Sequence, residues 1–169
     1  MIRHLAGMLA ALFIANAAAA HEFTVVLIVP EAAQQAARQA FLLASSERDG
    51  HPDETSEGHL GGLDSQLEII APGMALPTAQ IVVAIAPATL PPTGPGTWAF
   101  SLAAIGARER SLFLGGGDSS FAARHAARYG MPPDATATRT YVAARLIDKA
   151  VRAQGGADDP RALAAALEN

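Results

Sequence analysis

The sequence predicts an α/β fold in which a mainly parallel β-sheet is flanked by helices. Three apolar runs rich in β-branched residues each end at a proline, a pattern typical of fully buried strands. Stretches of good helix formers, with small or apolar residues at helical spacing, follow the first run and fill the last third of the chain. The predicted order of strand, helix, three strands and three helices favours parallel pairing with helical crossovers.

In the first half, the sequence FTVVLIVP predicts a buried strand over 23–30, and an alanine-rich stripe predicts a helix over 31–46. Two further strands are predicted over 67–73 and 81–87, each closed by a proline. Segment 88–96 (ATLPPTGPG) is expected to be a loop, because its prolines can join neither a helix nor a strand ladder.

The second half is predicted to be mostly helical. Residues 98–105 fit a strand or a helix, and residues 111–117 predict a short strand that runs into a glycine turn. A helix is expected over 118–129, with Ser119 or Ser120 as its N-cap.

Two more helices close the chain. The first is predicted over 138–154 and is expected to stop at Gly155 and Gly156. The second is opened by Asp159 as N-cap, with Pro160 at the first helical position.

The first twenty residues have the order of a cleavable signal peptide. Arg3 and His4 precede an apolar run over 5–14, and alanines occupy 17–20. We therefore predict a signal peptide over 1–20 and one secreted domain over 21–169. This run is too short to span a bilayer, and no later segment is apolar enough to do so.

Composition narrows the function classes. The chain has no cysteine, so a disulfide is impossible and the fold must depend on its own core or on a core with a metal. Loss of Arg3 with the signal peptide leaves 11 basic against 16 acidic residues, a net charge of −5 that disfavours nucleic acid as a partner. The sequence presents no nucleophile elbow and no assembled triad, so we do not expect an enzyme.

The most unusual feature is an acidic window over 46–68. It contains seven of the 16 acids and a single basic residue, Arg48, so it carries −6 while the rest of the mature chain is formally +1. Its acidic residues are Glu47, Asp49, Asp53, Glu54, Glu57, Asp64 and Glu68. Neighbouring carboxylates repel by about 1 kcal/mol per close pair in water, a cost that a bound cation removes.

Oxygen ligands without thiols suit hard cations such as Ca²⁺ and the trivalent lanthanides. We predict Asp53, Glu54 and Glu57 as metal ligands, with Asp49 as the next candidate. Asp53 and Glu57 share a face if a helical turn follows Pro52.

We predict that His51 and Asp64 orient those ligands. The spacing is not that of an EF-hand, because Glu54 and Leu60 occupy its glycine and final glutamate positions. A solvated acidic loop that only keeps the protein soluble remains the alternative on spacing alone.

Two stretches resemble the type I periplasmic binding proteins. The first combines FTVVLIVP, the helix through QQAARQAFLLA and the segment GHLGGLDSQLEII, where that family has a Gly-Gly turn before its second strand. The second is the C-terminal run from FAARHAARYGMPPDATATRTYVAARLIDKA to the final AALEN. The resemblance implies a periplasmic location and a single lobe of that fold, since this chain is about half as long as a two-lobed member.

The acidic segment DGHPDETSEGHLGGLD within such a short chain also resembles the landiscernin-type periplasmic lanthanide-binding proteins of methylotroph lanthanide-uptake clusters. This second resemblance implies lanthanide(III) trafficking, a metal-bridged homodimer and another periplasmic metal-trafficking protein as a partner. A hard ion accepts six or more oxygens, so a loop that supplies about four leaves positions for water or a second chain.

Three other parts of the sequence are alternative candidate sites. His21, at the predicted mature amino terminus, could chelate Cu²⁺. The GGGDSS segment over 115–120 has the form of an anion site but lacks a P-loop lysine, which favours a structural turn. The alternative functions are a binding module for a small organic solute and an accessory subunit of an ABC uptake system. A solute binder is expected to have a deep polar pocket near Pro30, Pro87 and Gly115.

Overall fold

A computed structural model of the protein describes residues 22–48 and 58–168. Its strands and helices, in chain order, are β1 Glu22–Ile28, α1 Gln34–Ser46, β2 His59–Leu60, β3 Leu63–Ile70, β4 Ile81–Ile85, β5 Trp98–Leu102, α2 Ala107–Glu109, α3 Phe121–Tyr129, α4 Ala135–Gln154 and α5 Pro160–Glu168. A 3-10 turn precedes α1 and another precedes α3, and a π-helical turn over Arg110–Leu114 extends α2. The predicted signal peptide lies outside the described residues.

The five strands form one mixed sheet in the order β2-β3-β1-β4-β5. The pairs β1–β3, β1–β4 and β4–β5 are parallel, whereas β2 and β3 are antiparallel. The prediction of a mainly parallel sheet was therefore wrong, because the sheet is mixed and its β2 edge is antiparallel. Gly61 and Gly62, at φ of +69° and +87°, reverse the chain between β2 and β3, and this tight hairpin adds an antiparallel edge.

The larger core lies between one face of the sheet and the helices. Alternate residues of β1 and β4, among them Val25, Leu27 and Val83, meet apolar side chains such as Phe41 of α1 and Ile147 of α4. Each of these side chains is fully removed from water, which stabilises the fold by roughly 1.5–3 kcal/mol apiece. This packing holds α1 and α4 across the sheet.

The opposite face of the sheet is covered by connecting segments. Val26, Ile28 and Val82 form a second, smaller apolar cluster with residues of the connections over 71–80 and 86–97. Helices therefore cover one face within the described part of the chain. The proline-dense segment is the loop that its composition predicted.

Several helix ends are confirmed. The Ser120 hydroxyl accepts a hydrogen bond from Ala123 N at 3.2 Å and caps α3. The Asp159 carboxylate accepts from the first backbone N–H groups of α5, at 2.9 and 3.1 Å. Gly155 terminates α4 in the left-handed conformation, at φ of +69°.

The structure resolves one open prediction and contradicts another. Segment 98–105, which fitted a strand or a helix, contains strand β5. The strand predicted over 111–117 was wrong, because its residues fall in the π-helical turn and the following loop. The consecutive side chains of Phe113 and Leu114 both pack against the core while Leu112 is 59% exposed, an arrangement that the alternating faces of a strand cannot produce.

In the described residues, no helix has both the length and the apolar character needed to cross a membrane.

Candidate functional site

The structure describes only part of the predicted metal site. The four predicted ligands, Asp49, Asp53, Glu54 and Glu57, lie outside the described residues, and so do His51 and His21. Asp64 is described, and so are Arg48 and Gly58, the two residues that flank segment 49–57. The geometry of these two ends is therefore what the structure contributes to the site.

Both ends lie at the amino edge of the sheet. Helix α1 starts beside the carboxyl end of β1 and returns across the sheet, so Arg48 follows it at the opposite edge. The carbonyl of Gly58 accepts hydrogen bonds from Ser65 N at 3.1 Å and Ser65 Oγ at 2.8 Å, near the start of β3. Asp64, which directly precedes Ser65, is paired in register with Glu22, the first residue of β1.

A buried carboxylate joins the two ends. Asp148 of α4 has a side chain only 4% exposed, and its Oδ1 accepts hydrogen bonds from Gly61 N at 2.8 Å and Arg152 Nη2 at 3.0 Å. Its Oδ2 lies 3.3 Å from Arg48 Nε. One carboxylate thus fixes the chain on both sides of segment 49–57, and we call Arg48, Asp148 and Gly61 the Asp148 clasp.

The chain that follows segment 49–57 packs closely against two helices at Gly58 and Gly61. A Cβ atom built on Gly58 would lie 2.6 Å from Ser45 Oγ of α1. One built on Gly61 would lie 2.4 Å from Val151 Cγ1 of α4. These approaches require glycine at both positions, and they set the position of β2 against α1 and α4.

A second ionic cluster surrounds Glu47, directly after α1. The Glu47 carboxylate accepts hydrogen bonds from Arg124 Nε at 2.7 Å and from the Tyr141 hydroxyl at 2.6 Å, and it lies 3.5 Å from Arg145 Nη1. Arg124 Nη2 also donates to the Tyr141 hydroxyl at 2.9 Å. Glu47 therefore neutralises the arginines Arg124 and Arg145 of the scaffold.

This environment shifts two ionisation equilibria. Burial raises the pKa of Tyr141, and the hydrogen bond to Glu47 and its negative charge raise it further, against the charges of Arg145 and Arg124. Burial alone would lower the pKa of Arg124, but its hydrogen bond to Glu47 and the neighbouring charges raise it above the ordinary value. Both groups hold their protons more tightly than in water.

Asp64, predicted to orient a metal ligand, has a partner that the sequence did not suggest. It is the cross-strand neighbour of His59 in the β2–β3 hairpin, and His59 Nε2 lies 3.0 Å from Asp64 Oδ1. The imidazole is nearly buried, while the carboxylate is about one-third exposed. Asp64 is thus held at the amino edge, beside the end of segment 49–57.

The described residues do not complete a metal centre by themselves. Within 22–48 and 58–168, no group of three or more histidine, aspartate or glutamate side chains is arranged to hold an ion. Segment 49–57 contains four acids and neither lysine nor arginine. The only basic residue of the acidic window, Arg48, is engaged by Asp148.

The carboxyl edge of the sheet has an open depression of about 450 Å³, lined by Glu31, Gln34, Ile69, Ile70, Ala71 and Met74. It lies next to Pro30, one of the three positions predicted for a solute pocket. Its polar side chains are one carboxylate and one amide, and the Gln34 amide donates to Val29 O at 3.4 Å. At Gly115, the chain forms a glycine turn leading to the Ser120 cap of α3.

The Asp148 clasp and the Glu47 cluster were missed by sequence reasoning. Their members are separated by 87 residues for Gly61 and Asp148 and by 77 for Glu47 and Arg124. No local motif connects such positions, so only the packing of α1 against α4 reveals them. The single available signal was that Asp148 and Arg152 occupy i, i+4 positions on one helix.

Comparisons with protein families, with characterised proteins and with solved structures found no match to this chain.

Proposed function

We propose that this protein is a non-enzymatic periplasmic metal-binding protein that captures a hard cation through segment 49–57. The proposed ligands are Asp53, Glu54 and Glu57, with Asp49 as the next candidate. The proposed ion is a lanthanide(III), with Ca²⁺ as the alternative, because carboxylate oxygens without thiols match both.

The observation that carries the proposal is the charge balance at the amino edge. Segment 49–57 contains four carboxylates and no basic residue, and the neighbouring Arg48 is engaged by Asp148. Glu47, on the same side, is taken by Arg124 and Tyr141. The negative charges of Glu47 and Asp148 are thus balanced by arginines of the scaffold. A bound cation would balance the negative charges of the four acids in segment 49–57.

Anchoring of both ends makes capture less costly. The Asp148 clasp and the packing of Gly58 hold the flanks of a nine-residue segment. Closing a chain segment whose flanks are already fixed costs less entropy than bringing free ends together. Four carboxylates around a trivalent ion offer a large compensating attraction.

The proposal extends to assembly and to family. A hard ion has more coordination positions than four side chains fill, so a second chain can complete the sphere in a metal-bridged homodimer. We infer from the sequence resemblance that the fold is a single lobe related to the type I periplasmic binding proteins; the three parallel strand pairings are those of an α/β fold. The resemblance to landiscernin-type proteins supports metal trafficking with another periplasmic protein as donor or acceptor.

The test is titration of metal-free protein with La³⁺ and with Ca²⁺, following heat by calorimetry and mass by light scattering. We expect saturable heat with La³⁺ and a doubling of mass at substoichiometric La³⁺. Absence of saturable heat with both ions would end the proposal. Saturable binding without a mass change would remove only the dimer.

The matched variants change equal charge at different places. The double substitution Asp53→Asn with Glu57→Gln should abolish binding, because it removes two proposed ligands. The control pair Asp118→Asn with Glu168→Gln changes exposed acids outside the window by the same total charge and should bind as the parent does. Equal loss in both pairs would show that net charge, and no specific site, attracts the ion.

A second candidate function is binding of a small organic solute, either alone or as an accessory subunit of an ABC uptake system. The depression beside Ile70 and Met74 at the carboxyl edge favours it, since ligands of open α/β sheets bind at that edge. Saturable binding of a solute that Gln34→Ala abolishes, with no heat from La³⁺, would favour this candidate over the metal site.

A further inference from the structure

A second cavity lies at the other end of the carboxyl edge, far in sequence from the acidic window. It has a volume of about 360 Å³ and opens beside the chain that leaves β5. Its wall is formed by Ala103, Ala104 and Ile105 on one side and by the first turns of α4 on the other. A cavity of this size suits a small organic molecule.

Two arginines line this cavity. Arg139 of α4 donates from Nε to Ala103 O at 3.0 Å, and Arg110, in the turn after α2, donates from Nε to Ile105 O at 3.3 Å. Each guanidinium is therefore oriented through its Nε atom by a carbonyl of the same short segment. This leaves the terminal Nη groups available for a ligand.

Within the part of the chain that the structure describes, these two arginines have no acidic partner. Among the described residues, no carboxylate lies within ion-pair distance of either guanidinium, and neither Nη group has a hydrogen-bond partner there. Asp134 caps α4 through Ala137 N at 2.7 Å and does not line the cavity. The cavity is thus lined by two oriented guanidinium groups and, among the described residues, by no carboxylate.

The rest of the lining selects the chemistry of the ligand. Ala135, Thr138 and Arg139 occupy the i, i+3 and i+4 positions of α4, so they share one face. Ala103, Ala135 and Ile105 also line the cavity and bring apolar side chains to its surroundings. The planar fork of arginine pairs with a carboxylate through two parallel hydrogen bonds.

We propose that this cavity binds a small organic carboxylate, with Arg110 and Arg139 holding the carboxylate group and the alanine and isoleucine wall holding the apolar part. The site is independent of the acidic window, since it shares no residue with segment 49–57 or with the Asp148 clasp.

The test is calorimetric titration with sodium hexanoate, with sodium succinate and with inorganic phosphate, at constant ionic strength. We expect saturable binding of at least one of the two carboxylates. Arg139→Gln should weaken it about tenfold or more, because a charge-assisted bidentate contact is lost. The control Arg161→Gln, which removes an exposed arginine on α5, should change the affinity less than twofold.

Arg110→Gln serves as the second variant, because Arg110 is exposed and contributes little to the core. It should also weaken carboxylate binding, which keeps the test valid if Arg139→Gln does not fold. Absence of saturable binding of either carboxylate would overturn the proposal, and so would an affinity unchanged from the parent protein in both Arg110→Gln and Arg139→Gln. Binding of phosphate alone would also overturn it, since the site would then recognise an inorganic anion.

Discussion

At the scale of single residues, Glu47 is a charged side chain of the amino edge with three polar partners. It is 21% exposed and receives hydrogen bonds from Arg124 and Tyr141, with Arg145 close by. Removing a carboxylate from between two guanidiniums leaves positive charge partly buried and uncompensated. Breaking such pairs costs more than the pair itself contributes to stability.

We therefore expect Glu47→Gln to lower the free energy of unfolding by about 2 kcal/mol, less than for a fully buried pair because solvent reaches the site. Urea denaturation followed by fluorescence of Trp98, the only tryptophan and a buried one, measures this change. Glu168→Gln, at an exposed position on α5, is the control and should stay within about 0.5 kcal/mol of the parent. Equal stability of the two variants would contradict a structural role for the Glu47 cluster.

The two tyrosines predict a pH dependence above neutrality. Burial raises the pKa of Tyr129 and of Tyr141, so the folded state favours both neutral phenols. Their contribution to stability is fully present below the ordinary value of about 10 and is lost as pH rises through the folded pKa. Absorbance at 295 nm should show native titration above pH 10, with stability falling over the same range.

Tyr141→Phe gives the control for this prediction. It removes one titrating group, so the alkaline loss of stability should become smaller, although the variant is less stable at neutral pH because two hydrogen bonds to Tyr141 are gone. Native tyrosine titration centred at pH 10 or below would contradict the predicted shift.

At the scale of elements, the β2–β3 hairpin determines how segment 49–57 rejoins the sheet. Its two turn glycines both have positive φ, but their surroundings differ. A side chain at Gly61 would meet Val151 and the backbone of Arg152 within 2.8 Å, whereas one at Gly62 would meet nothing within 4 Å. The same substitution therefore separates backbone strain from steric clash.

We expect Gly62→Ala to cost about 1 kcal/mol, from the left-handed backbone alone. Gly61→Ala should cost about 2–4 kcal/mol, because overpacking against α4 adds to that strain. Thermal and urea unfolding of the two variants measures the difference. If the costs were equal, close packing of the hairpin on α4 would be refuted.

At the scale of the whole molecule, Arg48 and Gly58, the described ends of segment 49–57, lie at the amino edge of the sheet, and the cavity lined by Arg110 and Arg139 lies at the carboxyl edge. The sheet and its helical layer separate them, and helices cover one face of the sheet in the described residues. The flanks of the proposed cation site and the cavity of the proposed carboxylate site thus lie at opposite edges of one sheet, and the two sets of test substitutions share no residue.

The metal proposal predicts a stability effect for the entire protein. An ion that binds the folded state and not the unfolded state should add about 2.7 kcal/mol at a free concentration of 100 times its Kd. Unfolding with and without La³⁺ measures this difference, and the Asp53→Asn with Glu57→Gln variant should show none of it. Equal stabilisation of parent and variant would locate the ion elsewhere.

The sequence alone determined the α/β class, the β1 and β4 strands, the α3 and α5 caps and the glycine end of α4. These features depend on residues close in the chain, since burial periodicity, capping side chains and prolines act over a few positions. It also identified the concentration of acids over 46–68, because charge counts need no structure.

Only the tertiary structure decided which partners those residues have. Asp148 meets Gly61 across 87 residues, Arg124 meets Glu47 across 77, and Arg139 meets the chain after β5 across 36. It also decided the antiparallel edge, because the strand pairing of a two-residue β2 depends on the helices against which Gly58 and Gly61 pack. Such contacts arise from the packing of helices on the sheet, which places residues together without any spacing rule along the chain.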